Sequence, residues 1–334
     1  MKIVKCRKCL NSTINPSISI NEKGLCNVCV SYEKKFDAVC LKEELEAVKA
    51  YVRNSGQHDC MIGLSGGKDS TAMLQTVIQM GFNPLAFSFN IGYNNLNATV
   101  ETHLRNITAK MNTDFEIIDV GHYVSSVDRK CFALMGDVYE KAENGEISQE
   151  EFRNIYNEGR KHYSTKDNIE FPYVRPCQIC RKIAIKAYYG EAVKRNISLV
   201  FVGINEWATV NNNGKYSAVR RLKPFPDQPE VLIVHLPYLV QRKYNEIIPI
   251  LEEMHCKEEV QELKVETGGN CCLLAKACER TATKLLGFHL DSARLSREIT
   301  VGFITAQQAE DALSNGKRIS EYSVNEILKN NKLI

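Results

Sequence analysis

No stretch of this 334-residue chain constrains its fold more than Ser65-Gly66-Gly67-Lys68-Asp69-Ser70. An apolar run, Cys60-Met61-Ile62-Gly63-Leu64, precedes it, and an amphipathic run from Thr71 to Ile78 follows it. The order is strand, glycine turn, helix. Two glycines let the backbone approach an anion closely. The helix start adds free N–H groups and the positive end of the helix dipole. Lys68 contributes a point charge, and Ser65 and Ser70 contribute hydroxyls. Together these make a phosphate cradle. It is not the Walker loop, which needs four residues between its first glycine and its Gly-Lys pair. A glycine turn that holds nothing is the plain alternative.

Alternation surrounds the cradle. Strands are expected over 59–64, 84–90, 115–120, 199–202 and 231–236. Helices are expected over 41–53, 69–80, near 97–111, 181–195 and from Tyr244 to Met254. This order predicts the α/β class, a doubly wound parallel sheet with helices on both faces. Residues 122–170 are charged and mostly helical, and read as an insertion. Residues 208–230 hold Asn211-Asn212-Asn213-Gly214 and three prolines, and read as a loop. The tail over 273–330 is helical, with turns at Gly287 and Gly302.

Cysteine placement carries the next layer. There are 13 cysteines, and Cys6-x2-Cys9 and Cys26-x2-Cys29 stand sixteen residues apart. Four thiolates in two such knuckles suit one tetrahedral zinc in a closed, structural site. Cys177-Gln178-Ile179-Cys180 is a lone pair that suits a redox couple, half a metal site or simply one helix turn. Far downstream lies Gly268-Gly269-Asn270-Cys271-Cys272. Cys177, Cys180 and one of Cys271 or Cys272 supply three thiolates, enough for a [4Fe–4S] cluster with one iron open. Incidental cysteines are the alternative, and Cys278 is a further candidate ligand.

The remaining signals are smaller. Gly203-Ile204-Asn205-Glu206 ends the strand over 199–202, and open parallel sheets bind ligands beyond the carboxyl ends of their strands. Gly203 and Asn205 are therefore expected to face residues 65–70 across one cleft. Asp69 would orient Lys68 or a magnesium ion, or merely favour the helix start. The histidines form no spaced ligand set. Apolar residues make up 44% and charged residues 25%, with a net charge of +3. That charge argues neither for nor against a nucleic-acid partner. No run reaches the length of a membrane span, and the N-terminus lacks a signal-peptide stretch. A cytoplasmic location with reduced thiols is expected.

The six-residue cradle resembles the SGGKDS signature of the PP-loop ATP pyrophosphatases. The resemblance implies cleavage of ATP between the α and β phosphates and adenylation of a carbonyl or amide oxygen, which nitrogen or sulfur then displaces. The ends of the chain resemble the N-acetyl sugar amidotransferases of that superfamily. The similar residues are Cys6-x-Lys8-Cys9 through Gly24-x-Cys26-x2-Cys29 with Tyr32-Glu33, Asp59-Cys60, Gly287-Phe288-His289, Arg294-Leu295-Ser296, and Ile304-Thr305 to Ala309. The middle resembles the iron–sulfur tRNA thiolases: residues 65–70, Cys177 to Arg181, Cys271 or Cys272, and His235-Leu236-Pro237-Tyr238-Leu239. The thiolases carry Gly-His-Asn-x-Asp-Asp after the strand, where this chain has Gly203-Ile204-Asn205-Glu206-Trp207-Ala208. The aspartates of that run are absent here, as is the C-terminal zinc pair of some thiolases.

These resemblances imply an ATP-dependent sulfurtransferase. Lys68, Asp69, Cys177 and Cys180 would be its catalytic residues. Ser65, Gly66, Gly67, Lys68, Asp69, Ser70, Gly203 and Asn205 would bind the nucleotide. ATP, Mg2+, Zn2+ and a [4Fe–4S] cluster would be its cofactors. Its partners would be a carbonyl or amide acceptor (a small molecule, a carrier-bound amide or tRNA) and a sulfide donor or sulfur-carrier protein, with a homodimer left open. The alternatives are an amidotransferase that inserts ammonia to form an amidine, and a zinc-dependent nucleotide-binding adaptor. Three units are expected: a zinc module over 1–36, an ATP-binding domain over 37–257, and a helical C-terminal region over 258–334 that contributes a cluster ligand.

Overall fold

The computed structural model describes residues 2–51, 57–91, 98–164, 169–258, 260, 263–268, 272–315 and 320–334. Gly269, Asn270 and Cys271 lie outside the described residues. Helices α1 (Asn27–Lys35) and α2 (Ala38–Lys49) lead into β1 (Cys60–Gly63), α3 (Lys68–Gln79), β2 (Pro84–Asn90), α4 (Ala98–Lys110) and β3 (Phe115–Asp119). A 3-10 turn over 121–123 precedes α5 (Ser126–Glu143), α6 (Gln149–Ser164) and α7 (Pro176–Lys194). Next come β4 (Leu199–Val202), a small hairpin of β5 (Thr209–Val210) and β6 (Tyr216–Ser217), β7 (Val219–Leu222) and β8 (Val231–His235). The helices α8 (Leu236–Leu239), α9 (Ile247–Glu253), α10 (Leu273–Leu286), α11 (Ser292–Thr300), α12 (Ala306–Asn315) and α13 (Val324–Asn330) follow. No helix among the described residues is long and apolar enough to cross a membrane.

The sheet order is β3-β2-β1-β4-β8-β7. The first five strands are parallel, and β7 runs antiparallel to β8 at the edge. The chain winds outward from β1 to β3, then crosses to β4 on the other flank of β1. A crevice opens where the winding reverses, beyond the carboxyl ends of β1 and β4. Strands β4 and β8 are buried along their whole length, as expected of parallel strands covered on both faces. The α/β class expected from the alternation is the one observed.

Two local expectations change. Residues 208–230 are not a plain loop, since they contain β5, β6 and β7. The sequence Val219-Arg220-Arg221-Leu222 has no apolar run to announce a strand. Its pairing with the buried β8, from Val219 opposite Val234 to Leu222 opposite Val231, makes it one. The helix expected over 181–195 begins five residues earlier, because Pro176 sits in its first turn, where a missing N–H costs nothing. Cys177 and Cys180 are therefore both inside the first turn and a half of α7.

Packing joins distant parts of the chain. One core runs from the N-terminal cysteines through α3 and the sheet to Ala312 in α12. A second core is helical and combines α5, α6 and α7 with α10 and α13. The insertion and the C-terminal helices thus share one bundle. Tyr139 in α5 donates to Val174 O at 2.8 Å, and Arg153 in α6 donates to Leu286 O at 2.8 Å.

Candidate active site

The cradle is built by its glycines and serines. Gly66 has φ +79°, and a Cβ there would lie 2.9 Å from Val100 Cγ1. Only glycine takes that conformation without strain. The Ser65 amide donates to Ser70 Oγ at 3.1 Å, and the Ser70 hydroxyl donates to Gly67 O at 3.1 Å. The two serines therefore set the turn rather than point into solution. Gly67 is the N-cap of α3 and supplies no side-chain cap, so the first-turn amides remain available to an anion. Lys68 is buried, with Nζ 3.0 Å from Asp69 Oδ2 and 5.6 Å from the centroid of the Tyr244 ring. Asp69 Oδ1 is buried with no hydrogen-bond partner. An orphan acceptor of that kind costs about 1–3 kcal/mol, and a bound cation would relieve it. The carboxylate thus suits Mg2+.

The end of β4 forms the opposite wall. A Cβ on Gly203 would touch Ser70 Cα at 3.6 Å, so the end of β4 closely approaches the first turn of α3. Asn205 is buried. Its Nδ2 donates to Glu298 Oε1 at 3.3 Å, while its Oδ1 has no partner. Glu298 belongs to α11, almost a hundred positions away in sequence. Arg294, one turn back on α11, donates to Glu298 Oε1 at 2.6 Å and to Asp291 Oδ2 at 2.6 Å. It also donates to Glu266 O at 2.6 Å. Asp291 accepts the Gly268 amide at 2.9 Å. A continuous chain of hydrogen bonds therefore links the β4 end to the segment just before Cys272.

Electrostatics follow from this burial. Burial pushes the Glu298 carboxyl up, against the pull of Arg294, and the nearby Asp69 charge pushes the same way. Arg297 pairs with Glu206. Burial and the neighbouring Arg175 and Arg181 bring the Arg297 pKa down to about 9. His235 ends β8, is buried, and has Nδ1 2.7 Å from Glu206 O. Burial, with Arg181 and Arg220 adding, lowers its pKa to about 3. The ring is neutral, with Nδ1–H donating to the carbonyl.

The second set of thiols stands on α7 and α10, two helices in contact. Cys177 and Cys180 share one face of α7. Cys272 is the N-cap of α10 and its sulfur accepts the Ala275 amide at 3.4 Å. Cys278, fully buried six residues on, feels the charges of both Cys272 and Cys177. Cys177 is exposed, yet protein crowds round its thiol. That desolvation pushes its thiol up, against the pull of Arg175 and Arg294. The helix dipole alone would favour thiolate there, and burial outweighs it. Three thiols from two helix starts are a donor set that suits an iron–sulfur cluster.

The N-terminal cysteines form a tighter group. Sulfur separations are 3.9 Å for Cys6–Cys29, 3.7 Å for Cys9–Cys26 and 3.6 Å for Cys9–Cys29. All four sulfurs lie within 4.8 Å of one another and are buried. Sulfurs placed tetrahedrally at ~2.3 Å from a zinc sit about 3.8 Å apart. Amides of Lys8 and Cys26 donate to Cys6 Sγ at 3.5 and 3.3 Å, and the Cys29 amide donates to Cys26 Sγ at 3.4 Å. Such outer bonds are usual around thiolate ligands, so the group suits one tetrahedral ion.

The structure thus brings Gly203 against Ser70, ties Asn205 to Glu298, gathers the four N-terminal cysteines, and sets Cys177 and Cys180 on a helix that contacts α10. Sequence reasoning does not find Glu298, Arg297 or Asp291 in the cleft. The spacing of Asp291, Arg294, Arg297 and Glu298 on α11 was the available signal, but a charged stripe on a helix usually faces solvent.

No protein-family model and no curated protein sequence matches the chain. Its fold is similar to the U34-tRNA thiolase NcsA from Methanococcus maripaludis, described with its [4Fe-4S] cluster, at 13% identity, TM-score 0.35, covering 100% of this chain and 99% of that one. It is similar to the NMN synthetase from Francisella tularensis at 13% identity, TM-score 0.34, covering 83% and 96%. It is similar to the phosphoadenylyl-sulfate reductase from Candida auris, in its phosphate complex, at 8% identity, TM-score 0.32, covering 71% and 88%. Likenesses this distant say nothing about the reaction.

Proposed function

We propose that this chain is a PP-loop enzyme that uses ATP to adenylate a carbonyl or amide oxygen and then replaces that oxygen with sulfur. One observation carries the reading: the Ser65–Ser70 turn stands at the carboxyl end of β1, beside the end of β4, where the sheet reverses its winding. The first-turn amides of α3 hold the pyrophosphate. Lys68, kept in place by Asp69, stabilises the charge that grows as the α–β bond breaks. Asp69 Oδ1 would hold Mg2+, which neutralises the phosphates. The acceptor oxygen attacks the α-phosphorus and pyrophosphate leaves. A sulfur nucleophile then adds to the activated carbon and AMP departs.

The N-terminal thiolates would hold zinc in a structural role. Cys177, Cys180 and Cys272, or Cys271 in place of the last, would hold a [4Fe–4S] cluster, which with three protein ligands keeps one iron free for exogenous sulfide. Arg175 and Arg294 then steady the thiolate form of Cys177.

The test is anaerobic purification with iron and sulfide counts, then an acceptor screen read by nucleotide product. AMP and pyrophosphate are expected, and Cys177→Ala or Cys180→Ala should lose sulfur transfer while AMP formation persists. ADP as the product would overturn the adenylation reading. Absence of iron after reconstitution would favour ammonia as the nucleophile and an amidine as the product.

A further inference from the structure

Adenylation of an amide oxygen leaves a proton to be removed. The amide N–H becomes acidic as its oxygen bonds to phosphorus, and a base must take that proton if a neutral imidate is to form. Among the described residues, four carboxylates are tied by ion pairs into the cradle and the wall opposite it. Asp69 is paired with Lys68. Glu206 has Arg297 to itself. Asp291 and Glu298 share one guanidinium, Arg294. Asp291 uses both oxygens on Arg294 and adds the Gly268 amide. Glu298 receives Arg294 and Asn205 on Oε1 only. Among the described residues no hydrogen bond reaches its Oε2.

We propose that Glu298 is a catalytic base of the adenylation step, which takes the proton from the acceptor's N–H. The inference rests on the adenylation reading and is independent of whether sulfur or nitrogen follows. The acceptor oxygen forms a bond to the α-phosphorus, the bond from that phosphorus to the bridging oxygen breaks, and pyrophosphate leaves with the electron pair. The N–H electron pair becomes the C=N bond of the imidate, and the proton passes to Glu298 Oε2. Asn205 fixes the carboxylate through Oε1, and its own partnerless Oδ1, buried beside it, is an acceptor that the same N–H meets on entry.

The carboxylate is suited to the task by its neighbours. One shared arginine cannot fully neutralise two buried carboxylates, and a buried anion left short of partners favours the proton. Arg294 and Asp291 face Glu298 from its own helix and cap, and Asp69 faces it from α3. On other sides of α11, α1 brings the Cys29 thiol to Thr300, and α12 turns Glu310 and Asp311 to solvent. Among the other described carboxylates, Asp69 is paired with Lys68 and assigned to the cation, and Asp291 is engaged by Arg294 and the Gly268 amide. His235 donates its Nδ1–H to a backbone carbonyl and resists a second proton.

The experiment uses full-length protein with MgATP and two N–H-bearing probes, unfractionated tRNA for lactam bases and UDP-N-acetylglucosamine for a secondary amide. Glu298→Gln keeps the shape and the Arg294 and Asn205 contacts. It should lower pyrophosphate release by about 100-fold or more, leave MgATP binding unchanged, and remove the acidic limb of the pH–rate profile. Glu298→Asp should restore part of the rate. In parallel, carbon-13 NMR of labelled glutamate, assigned with Glu298→Gln, should give a carboxyl that titrates above the usual range. Wild-type production of ADP would sink the adenylation reading. Production of AMP with equal rates in Glu298→Gln would sink the present inference alone. If neither probe turns over, the NMR titration decides: an ordinary or lowered pKa overturns it.

Discussion

Cys29 Sγ lies 3.3 Å from Thr300 Oγ1, although 271 positions separate the two residues. Thr300 ends α11, the helix whose other face carries Arg294 and Glu298 into the cleft. The N-terminal cysteine group is thus a wedge under the wall of the cleft as well as a local staple. Trp207, the sole tryptophan of the chain, sits at the same junction, stacked at 4.1 Å on Tyr216 and 5.7 Å from Tyr32 of α1.

Loss of a metal held by this group should therefore be visible optically. Chelation, or Cys6→Ser, is expected to destabilise the protein by more than about 4 kcal/mol, as loss of a structural metal typically does. Trp207 emission should shift to the red as α1 leaves it. A Cys6→Ser protein with unchanged melting temperature and unchanged emission would count against a metal in this group.

Gly66→Ala and Lys68→Ala should separate shape from charge at the cradle. The alanine methyl at position 66 would meet Val100 at 2.9 Å with φ +79°, which costs about 1–2 kcal/mol in backbone strain alone. It should abolish MgATP binding measured by calorimetry. Lys68→Ala should keep the fold and weaken binding less than it slows turnover, because in the proposed mechanism the lysine acts chiefly on charge formed in the transition state. Equal effects on binding and on rate would argue for a passive phosphate site.

Arg294→Met should be among the most damaging single changes. It leaves Asp291 and Glu298 buried without their shared cation, and such a break costs about 3–5 kcal/mol. Arg294→Lys should recover only part of this, because an ammonium cannot present the planar fork that now reaches Asp291, Glu298 and Glu266 O. The double change Arg294→Met with Glu298→Gln should cost less than the sum of the two. Additive urea midpoints would show that the two side chains are not coupled.

His235 sets a sign for the acid response. Its folded-state pKa is lowered to about 3, while the unfolded chain binds the proton near pH 6.5. Between those values the unfolded state holds more protons, so stability falls as pH falls. The contribution is complete above pH 6.5 and declines by roughly 1.4 kcal/mol per unit below it. Urea midpoints from pH 7.5 to 4.5 should show this slope. His235→Asn retains a donor for Glu206 O and removes the titration, so its slope should be shallower. An unchanged slope would place the acid sensitivity elsewhere.

The cradle and the cysteine knuckles are legible in the chain because each is assembled from neighbours. Gly66, Gly67 and Lys68 act within one turn, so their spacing already states their geometry. Cys6, Cys9, Cys26 and Cys29 repeat a ligand spacing that few other uses require. The parallel sheet is legible for a similar reason, since buried strands must be apolar, and β4 is so throughout and β8 up to His235. β7 is not, because Arg220 and Arg221 join the sheet only through the pairing that β8 offers.

The wall opposite the cradle belongs to the tertiary structure. Asn205 gains meaning only when α11 delivers Glu298 to it, and nothing within ten residues of either announces the other. On an isolated helix Asp291, Arg294, Arg297 and Glu298 would be a solvated stripe. Burial against β4 and the Cys29 module turns the same stripe into a desolvated network, where each charge must find its partner or carry a cost. Local motifs can be read because their energies are local. The carboxylate chemistry of the cleft depends on which charges are taken out of water together, and the packing of distant segments decides that.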